Sequence, residues 1–246
     1  MVPYQNVSIV IPVFNANTTL ISLVDRMNGA LFKQCERFEL IFVDDGSSDN
    51  SWDIITHLCE QHEWVSGVKL AHNMGQQAAT LVGLRYARYP ISVTMDDDLQ
   101  HPPEAIPKLL AALKPDIDIV YGAPQALPLT LYRTLVSLSK QAVSIITGVP
   151  SLRYMRSFRA LRTAVYPWSN LAITEWSAVD GLLKHANPKV EVVRVSYMPR
   201  MTGHSSYNIW RSVRLMYMLW KSTYEKPQPA IQDPVPISKK AGWLTA

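Results

Sequence analysis

Residues 95–104 read Met-Asp-Asp-Asp-Leu-Gln-His-Pro-Pro-Glu, so Asp96, Asp97 and Asp98 are three consecutive carboxylates. Like charges that close repel, and removing them from water without a cation is costly. In extended chain the first and third side chains point one way and the second points the other. Asp96 and Asp98 can therefore converge on one ligand while Asp97 faces away. Hard oxygen donors of this kind suit Mg2+ or Mn2+, which in turn bridge to a diphosphate. A bare D-x-D is more often a solvated turn or a helix cap. Here an apolar run, Ile91 to Met95, precedes it, and Pro102 and Pro103 follow as helix openers, since proline is tolerated in a first turn. Open α/β sheets bind ligands outside the carboxyl ends of their strands.

A second acidic turn, Val43-Asp44-Asp45-Gly46-Ser47-Ser48-Asp49, follows the apolar run Phe38 to Val43. Asp45 at that place can accept hydrogen bonds from a nucleoside base or ribose. The same residues also fit a plain turn with a helix cap, a reading Gly46 serves well. Pro12-Val13-Phe14-Asn15 closes the first apolar run, and Asn73-Met74-Gly75-Gln76-Gln77 follows the third. Polar or turn residues at four strand ends on one sheet edge are harder to explain as structure alone.

The elements that must hold these residues alternate. Val7 to Phe14 is continuously apolar and rich in β-branched residues, as a strand covered on both faces requires. Asn17 offers an N-cap for a helix to about Lys33. Strands are expected at Phe38 to Val43, Val65 to Leu70, Ile91 to Met95 and Ile117 to Val120. Helices fall between them: one capped by Asp49 or Asn50 and running to about Glu63, one from Gly75 to Arg88, and one opened by Pro102 and Pro103. This rhythm predicts an α/β fold, a mostly parallel sheet flanked by helices.

The rhythm changes after Tyr121. Leu131, Leu135, Leu138, Ala142 and Ile145 share one helix face. Met155 to Leu161 and Val190 to Tyr197 read as strands, Ser177 to His185 as a helix, and Ile209, Val213, Met216 and Trp220 as the apolar stripe of a last helix. The expected organisation is a nucleotide-binding core over 1–122, a helix-rich acceptor side over 123–225 completing the same domain, and a Pro-rich, extended or disordered tail over 226–246.

Hydrophobic residues make up 48% and charged residues 18% of the 246 residues, which excludes a disordered chain. The net charge of +4 is mild and suits anionic headgroups or phosphorylated substrates. No nucleic-acid-binding motif accompanies it, so nucleic acid is not an expected partner. Cys35 and Cys59 lack metal-ligand spacing and read as buried free thiols in helices. Residues 1–6 show no basic segment leading into an apolar run. No apolar stretch reaches the ~18 residues that a membrane span needs. The expected location is cytoplasmic, free or peripheral on the inner face of the cytoplasmic membrane.

Together, I-V-I-P-V-F-N (9–15), V-D-D-G-S-S-D (43–49), N-M-G-Q-Q-A-A (73–79) and M-D-D-D-L-Q-H-P-P-E (95–104) resemble family 2 glycosyltransferases, which have the Rossmann-like GT-A fold. The last motif is similar to that of the dolichyl-phosphate mannose synthase group and its bacterial polyprenyl-phosphate relatives. Further on, Ser157-Phe158-Arg159 resembles their S-x-F-R segment, and residues 200–207, Arg-Met-Thr-Gly-His-Ser-Ser-Tyr, their R-x-x-G-x-S-x-Y segment. The chain departs from that group after Tyr121-Gly122, where Ala-Pro-Gln-Ala-Leu-Pro replaces an Arg-rich stretch. One amphipathic helix and a Pro-rich tail also stand where many of the group carry two membrane-spanning helices.

The resemblance implies an inverting, metal-dependent transfer of a sugar from a nucleoside-diphosphate sugar. Pro12, Phe14, Asn15, Asp45, Asn73, Gly75, Asp96 and Asp97 would line the nucleotide, with Phe14 on the base and Asp45 on base or ribose. Asp96, Asp98 and Gln100 would hold the Mg2+ or Mn2+ and its diphosphate. Arg159 would meet a phosphate of donor or acceptor, although a surface ion pair would also explain it. Arg200, His204 and Ser205 would face the acceptor, a polyprenyl phosphate at the membrane. Two other readings stand beside this one: transfer to a sugar hydroxyl in O-antigen or polysaccharide assembly, and a catalytically silent nucleotide-sugar-binding protein. Asp180 fits a general base as well as an exposed helix residue, and His101 fits a solvated loop histidine as well as a ligand. The aromatic stretch from Tyr207 to Trp220 fits helix packing, with a basic side suited to an interface.

Overall fold

β1 (Val7–Val13) is buried along its whole length, as its unbroken apolar run requires. The computed structural model describes residues 6–125, 141, 156–167, 173–174, 177–183, 186–198, 217, 221 and 238–240. Seven further strands join β1 in one sheet: β2 (Phe38–Asp44), β3 (Val65–Lys69), β4 (Ile91–Thr94), β5 (Ile119–Pro124), β6 (Arg159–Arg162), β7 (Val190–Val195) and β8 (Ser238–Lys240). Their order is β7-β5-β6-β4-β1-β2-β3-β8. β1, β2, β3 and β4 pair in parallel, as do β5 and β7. β6 is antiparallel to both β4 and β5, and β8 is antiparallel to β3.

The helices are α1 (Leu20–Leu31), α2 (Ser51–Gln61), α3 (Gln76–Tyr86), α4 (Ile106–Ala112) and α5 (Val179–Leu183). They cover both faces of the sheet. Ile9, Ile11 and Val13 of β1 pack with Leu20, Leu23 and Met27 of α1, Ile55 of α2 and Leu109 of α4. Val10, between them in sequence, packs on the other face with Ala78 and Val82 of α3 and Leu182 of α5. The alternation follows from the two-residue period of a strand. In α1 the buried residues Leu20, Leu23, Val24, Met27 and Leu31 recur at helical spacing. Each contributes about 1.5–3 kcal/mol of burial before chain entropy is counted.

Pro12 sits inside β1, where proline normally costs a ladder bond. The Val10 carbonyl accepts the Met95 N–H on the β4 side, and the Val13 carbonyl accepts the Asp45 N–H on the β2 side. By alternation Pro12 faces the β4 side, and β4 pairing ends at Val10↔Thr94. The missing N–H therefore breaks no ladder bond.

Several expectations are corrected. Asn17 does not cap α1, whose first residue is Leu20. Its backbone N–H instead donates to Asp49 and its side chain to Asn50, tying two loops together. The strand expected from Met155 is β6, which begins at Arg159. Cys35 lies beyond α1 rather than in a helix; both cysteines are free thiols, as expected, but only Cys35 is buried and Cys59 is partly exposed. Within the tail read as extended or disordered, Ser238–Lys240 forms β8 and covers the otherwise open edge of β3. β6 and β7, which follow residue 123, lie in the same sheet as the first half. The helix expected over 131–145 and the stripe from Ile209 to Trp220 fall outside the described residues, apart from residues 141 and 217. Among the described residues no helix is long and apolar enough to cross a membrane.

Candidate active site

The chain runs outward from β1 to β2 and β3, then crosses back to place β4 on the other side of β1. Such a switch in strand order opens a crevice at the carboxyl ends of the strands. Phe14, Asn15, Asp45 and Asp96 all lie on that edge, just past β1, β2 and β4.

The turns there are tied to one another. Asn15, in the left-handed region at φ 53°, accepts the Ser48 N–H on its side-chain oxygen at 2.9 Å, and its own N–H donates to Ser47 Oγ at 3.0 Å. Asp45 is buried, and its carboxylate accepts the N–H groups of Met74 at 2.6 Å and Gly75 at 2.8 Å. Burial pushes the Asp45 carboxyl above its ordinary pKa, against the pull of those two N–H donors. Gly46, at φ 71°, lets the β2 turn approach this bend, since a Cβ there would stand 2.9 Å from the Asn73 nitrogen. Asn73 itself is exposed. Asp45 thus clamps the Asn73–Gly75 bend, and any nucleoside contact uses what remains of its acceptor capacity. The half-exposed Phe14 ring is open to a ligand.

Beyond β4 the chain folds back on itself. Leu99 adopts φ 59° while its side chain is buried in the core. Holding a non-glycine residue there costs of order 1–3 kcal/mol, which the buried leucine offsets. The reversal brings Asp98 and His101 back to Asp96, and ligand atoms of these three residues lie within 4.8 Å of one another. His101 is buried, stacked on Phe158 at 5.1 Å and edge-on to Tyr197 at 4.7 Å. Its Nδ1 stands 3.6 Å from Asp96 Oδ2. The expectation of a solvated loop histidine is therefore corrected: His101 is held beside the carboxylates by two aromatic rings. Gln100 donates its N–H to Asp98 at 3.1 Å and accepts the Met198 N–H on its carbonyl.

Asp97, in the bend beyond the end of β4, is not part of this group and accepts the Phe14 N–H at 3.3 Å. Burial, then the charges of Asp96 and Asp98, push its carboxyl up to about 7. Two carboxylates and an imidazole fit Mn2+, and less well Mg2+, which prefers an all-oxygen shell.

Arg159 and Asp180 form a buried pair in the interior. Arg159 is 1% exposed, and its Nη1 donates to Asp180 Oδ1 at 2.6 Å. Asp180 is buried as well and also accepts the Tyr121 hydroxyl at 2.5 Å. Burial works against the Arg159 charge, yet the Asp180 carboxylate keeps the guanidinium protonated, above its ordinary pKa. Burial and then Asp180 hold the Tyr121 phenol far above its own. Asp180 is thus no exposed helix residue, and Arg159 is no surface ion-pair partner.

Ser157 and Gln76, which the sequence left without a role, both donate to Asp96. Ser157 lies two residues before Arg159, but only the antiparallel pairing of β6 with β4 brings it to Asp96, and no local sequence signal announces that pairing. Arg200, His204 and Ser205 lie outside the described residues.

A mostly parallel sheet with acidic turns at its switch point defines a glycosyltransferase-type α/β architecture, the GT-A fold. Two solved structures superpose on it. Glucosyl-3-phosphoglycerate synthase from Mycobacterium tuberculosis, in complex with Mn2+, uridine-diphosphate and phosphoglyceric acid, gives a TM-score of 0.63 at 16% identity, over 89% of this chain and 78% of that one. A mannosyltransferase from Pyrobaculum calidifontis, in complex with GDP-Man and Mn2+, gives 0.60 at 17% identity, over 91% and 65%. The chain belongs to glycosyl transferase family 2, whose sequence profile matches residues 8–146. It is 36% identical over 221 residues to an undecaprenyl-phosphate 4-deoxy-4-formamido-L-arabinose transferase of Pseudomonas fluorescens, covering 88% of this chain and 65% of that protein. The chain spans about two thirds of the length of the curated relatives it matches.

Proposed function

We propose that the protein is an inverting, metal-dependent glycosyltransferase that moves a sugar from a nucleoside-diphosphate sugar to a polyprenyl phosphate at the membrane surface. The observation that carries this reading is the convergence of Asp96, Asp98 and His101 beside the Phe14 and Asp45 turns, at the switch point of the sheet. The name of the Pseudomonas fluorescens relative, an undecaprenyl-phosphate transferase, supports the acceptor.

Asp96, Asp98 and His101 would hold a divalent cation, with Gln100 adjoining them in the loop. When bound, the cation neutralises charge on the departing nucleoside diphosphate. Phe14 offers an exposed ring for stacking on the base. Asp45 keeps the bend at Asn73–Gly75 in place beneath the nucleoside. A phosphate acceptor is already an oxyanion near neutral pH, so attack on the sugar needs no general base. A sugar hydroxyl would need one. Asp180, the residue the sequence offers for that task, is buried with its carboxylate engaged by Arg159 and Tyr121. That geometry favours the phosphate acceptor over the hydroxyl.

Thermal melting in the presence of UDP-, GDP- and dTDP-sugars, with and without Mn2+, tests the donor half of the proposal. Binding to the native state alone raises apparent stability. One nucleotide class is expected to raise Tm only with the metal present. No shift with any of them would remove the donor assignment.

A further inference from the structure

The pair formed by Arg159 and Asp180 is continuous with the candidate metal site through one line of hydrogen bonds. Thr94, Arg159 and Tyr121 are register partners across β4, β6 and β5. They form a single row of the sheet, and Asp180 of α5 meets that row from the face that α3 and α5 cover. Arg159 Nε donates to Thr94 Oγ1 at 3.1 Å. Thr94 Oγ1 donates to the Ser157 carbonyl at 2.6 Å. Ser157 Oγ donates to Asp96 Oδ2 at 2.8 Å.

Only one polarity is available to this line. A guanidinium cannot accept and a carbonyl cannot donate, so the single Thr94 proton must go to Ser157. The threonine hydroxyl is then engaged both as donor and as acceptor, and Ser157 is held where its own hydroxyl meets Asp96. Gln76 holds the other oxygen of the same carboxylate. Both Asp96 oxygens are therefore oriented before any ligand arrives. Near a metal site, outer partners that orient a ligating side chain typically change metal affinity 10–100-fold when removed.

We infer that Thr94 and Ser157, anchored by the buried Arg159–Asp180 pair, are positioning residues that hold the Asp96 carboxylate for the divalent cation, so that Arg159 acts on the reaction through Asp96 rather than by touching a phosphate. The inference rests on the metal role proposed for Asp96. It gives Ser157 and Arg159 a function within this chain: the arginine locks the threonine of the neighbouring strand, and the serine carries that order to the carboxylate.

The test is a Mn2+ titration of the full chain, followed by loss of the free-ion electron paramagnetic resonance signal, with folding checked by circular dichroism and Tm. Thr94→Val keeps the shape and removes the hydroxyl; Thr94→Ser restores it. Ser157→Ala removes the final donor without touching the buried row. Thr94→Val and Ser157→Ala are expected to raise the Mn2+ Kd about 10-fold or more, Thr94→Ser to stay within about twofold of wild type, and Asp96→Ala to lose binding. If Asp96→Ala loses binding while Thr94→Val and Ser157→Ala bind as wild type, the positioning role is wrong and the metal reading stands. The role is equally overturned if Thr94→Ser fails alongside Thr94→Val, because packing rather than the hydroxyl is then what matters. Wild type and Asp96→Ala behaving alike toward Mn2+ would remove the metal reading and the inference with it. Should Thr94→Val fail to fold, Ser157→Ala decides alone.

Discussion

Arg159 and Asp180 meet at 2.6 Å with their side chains 1% and 5% exposed. Breaking a buried pair leaves a charge without compensation, which costs about 3–5 kcal/mol. Asp180→Ala is expected to lose stability of that order in urea unfolding. Combining Asp180→Asn with Arg159→Met should recover part of the loss, because removing both charges is far milder than removing one. A general base would behave otherwise, losing about 10²–10⁴-fold in turnover with unfolding unchanged.

Asp45 bonds two backbone N–H groups of the neighbouring bend. Asp45→Ala is expected to weaken nucleoside-diphosphate binding by about 1–3 kcal/mol, the usual cost of a lost charged hydrogen bond, and to lower Tm together with it. Calorimetry showing unchanged affinity beside a lowered Tm would confine Asp45 to a purely structural role.

Gly46 combines φ 71° with a close approach to the Asn73 backbone nitrogen. Gly46→Ala places a Cβ where only backbone can yield. It is expected to cost more than about 1 kcal/mol and to disturb the bend that Asp45 holds. Unfolding curves matching wild type would show that the turn can relax.

Burial pushes the Cys35 thiol up to about 11 and, with a smaller contribution from Glu60, the Cys59 thiol as well. The thiolate is the reactive form, so both should alkylate slowly at pH 8 in the native protein and fast in denaturant. The sign for stability follows from linkage. The folded state holds these protons longer, so the contribution is intact below the ordinary thiol pKa and is lost as pH rises toward 11. Fast native labelling at pH 8 would contradict the burial of these thiols.

The fold was legible where pattern is local. Apolar β-branched runs marked β1 to β5, and the polar turn residues after β1 to β4 pointed to one edge of the sheet. What stayed hidden depends on contacts distant in sequence. The sequence left Asp180 open between a general base and an exposed helix residue because a short helix carries little periodicity, and its partners lie 59 residues away at Tyr121 and 21 away at Arg159. His101 stayed open between a solvated loop residue and a ligand because the prolines after it suggest a loop, while the rings that hold it come from Phe158 and Tyr197. β8 was hidden because proline spacing reports an extended chain but not its pairing.

The central claim is that this site transfers a sugar with a metal held by Asp96 and Asp98. The most direct measurement incubates wild type and Asp98→Ala with radiolabelled UDP-, GDP- and dTDP-sugars and undecaprenyl phosphate in vesicles, with Mn2+ or with EDTA, and counts label in the organic phase. Label should reach the lipid only with wild type and Mn2+, while Asp98→Ala keeps a native circular dichroism spectrum. Equal transfer in EDTA, or by a folded Asp98→Ala, would contradict it.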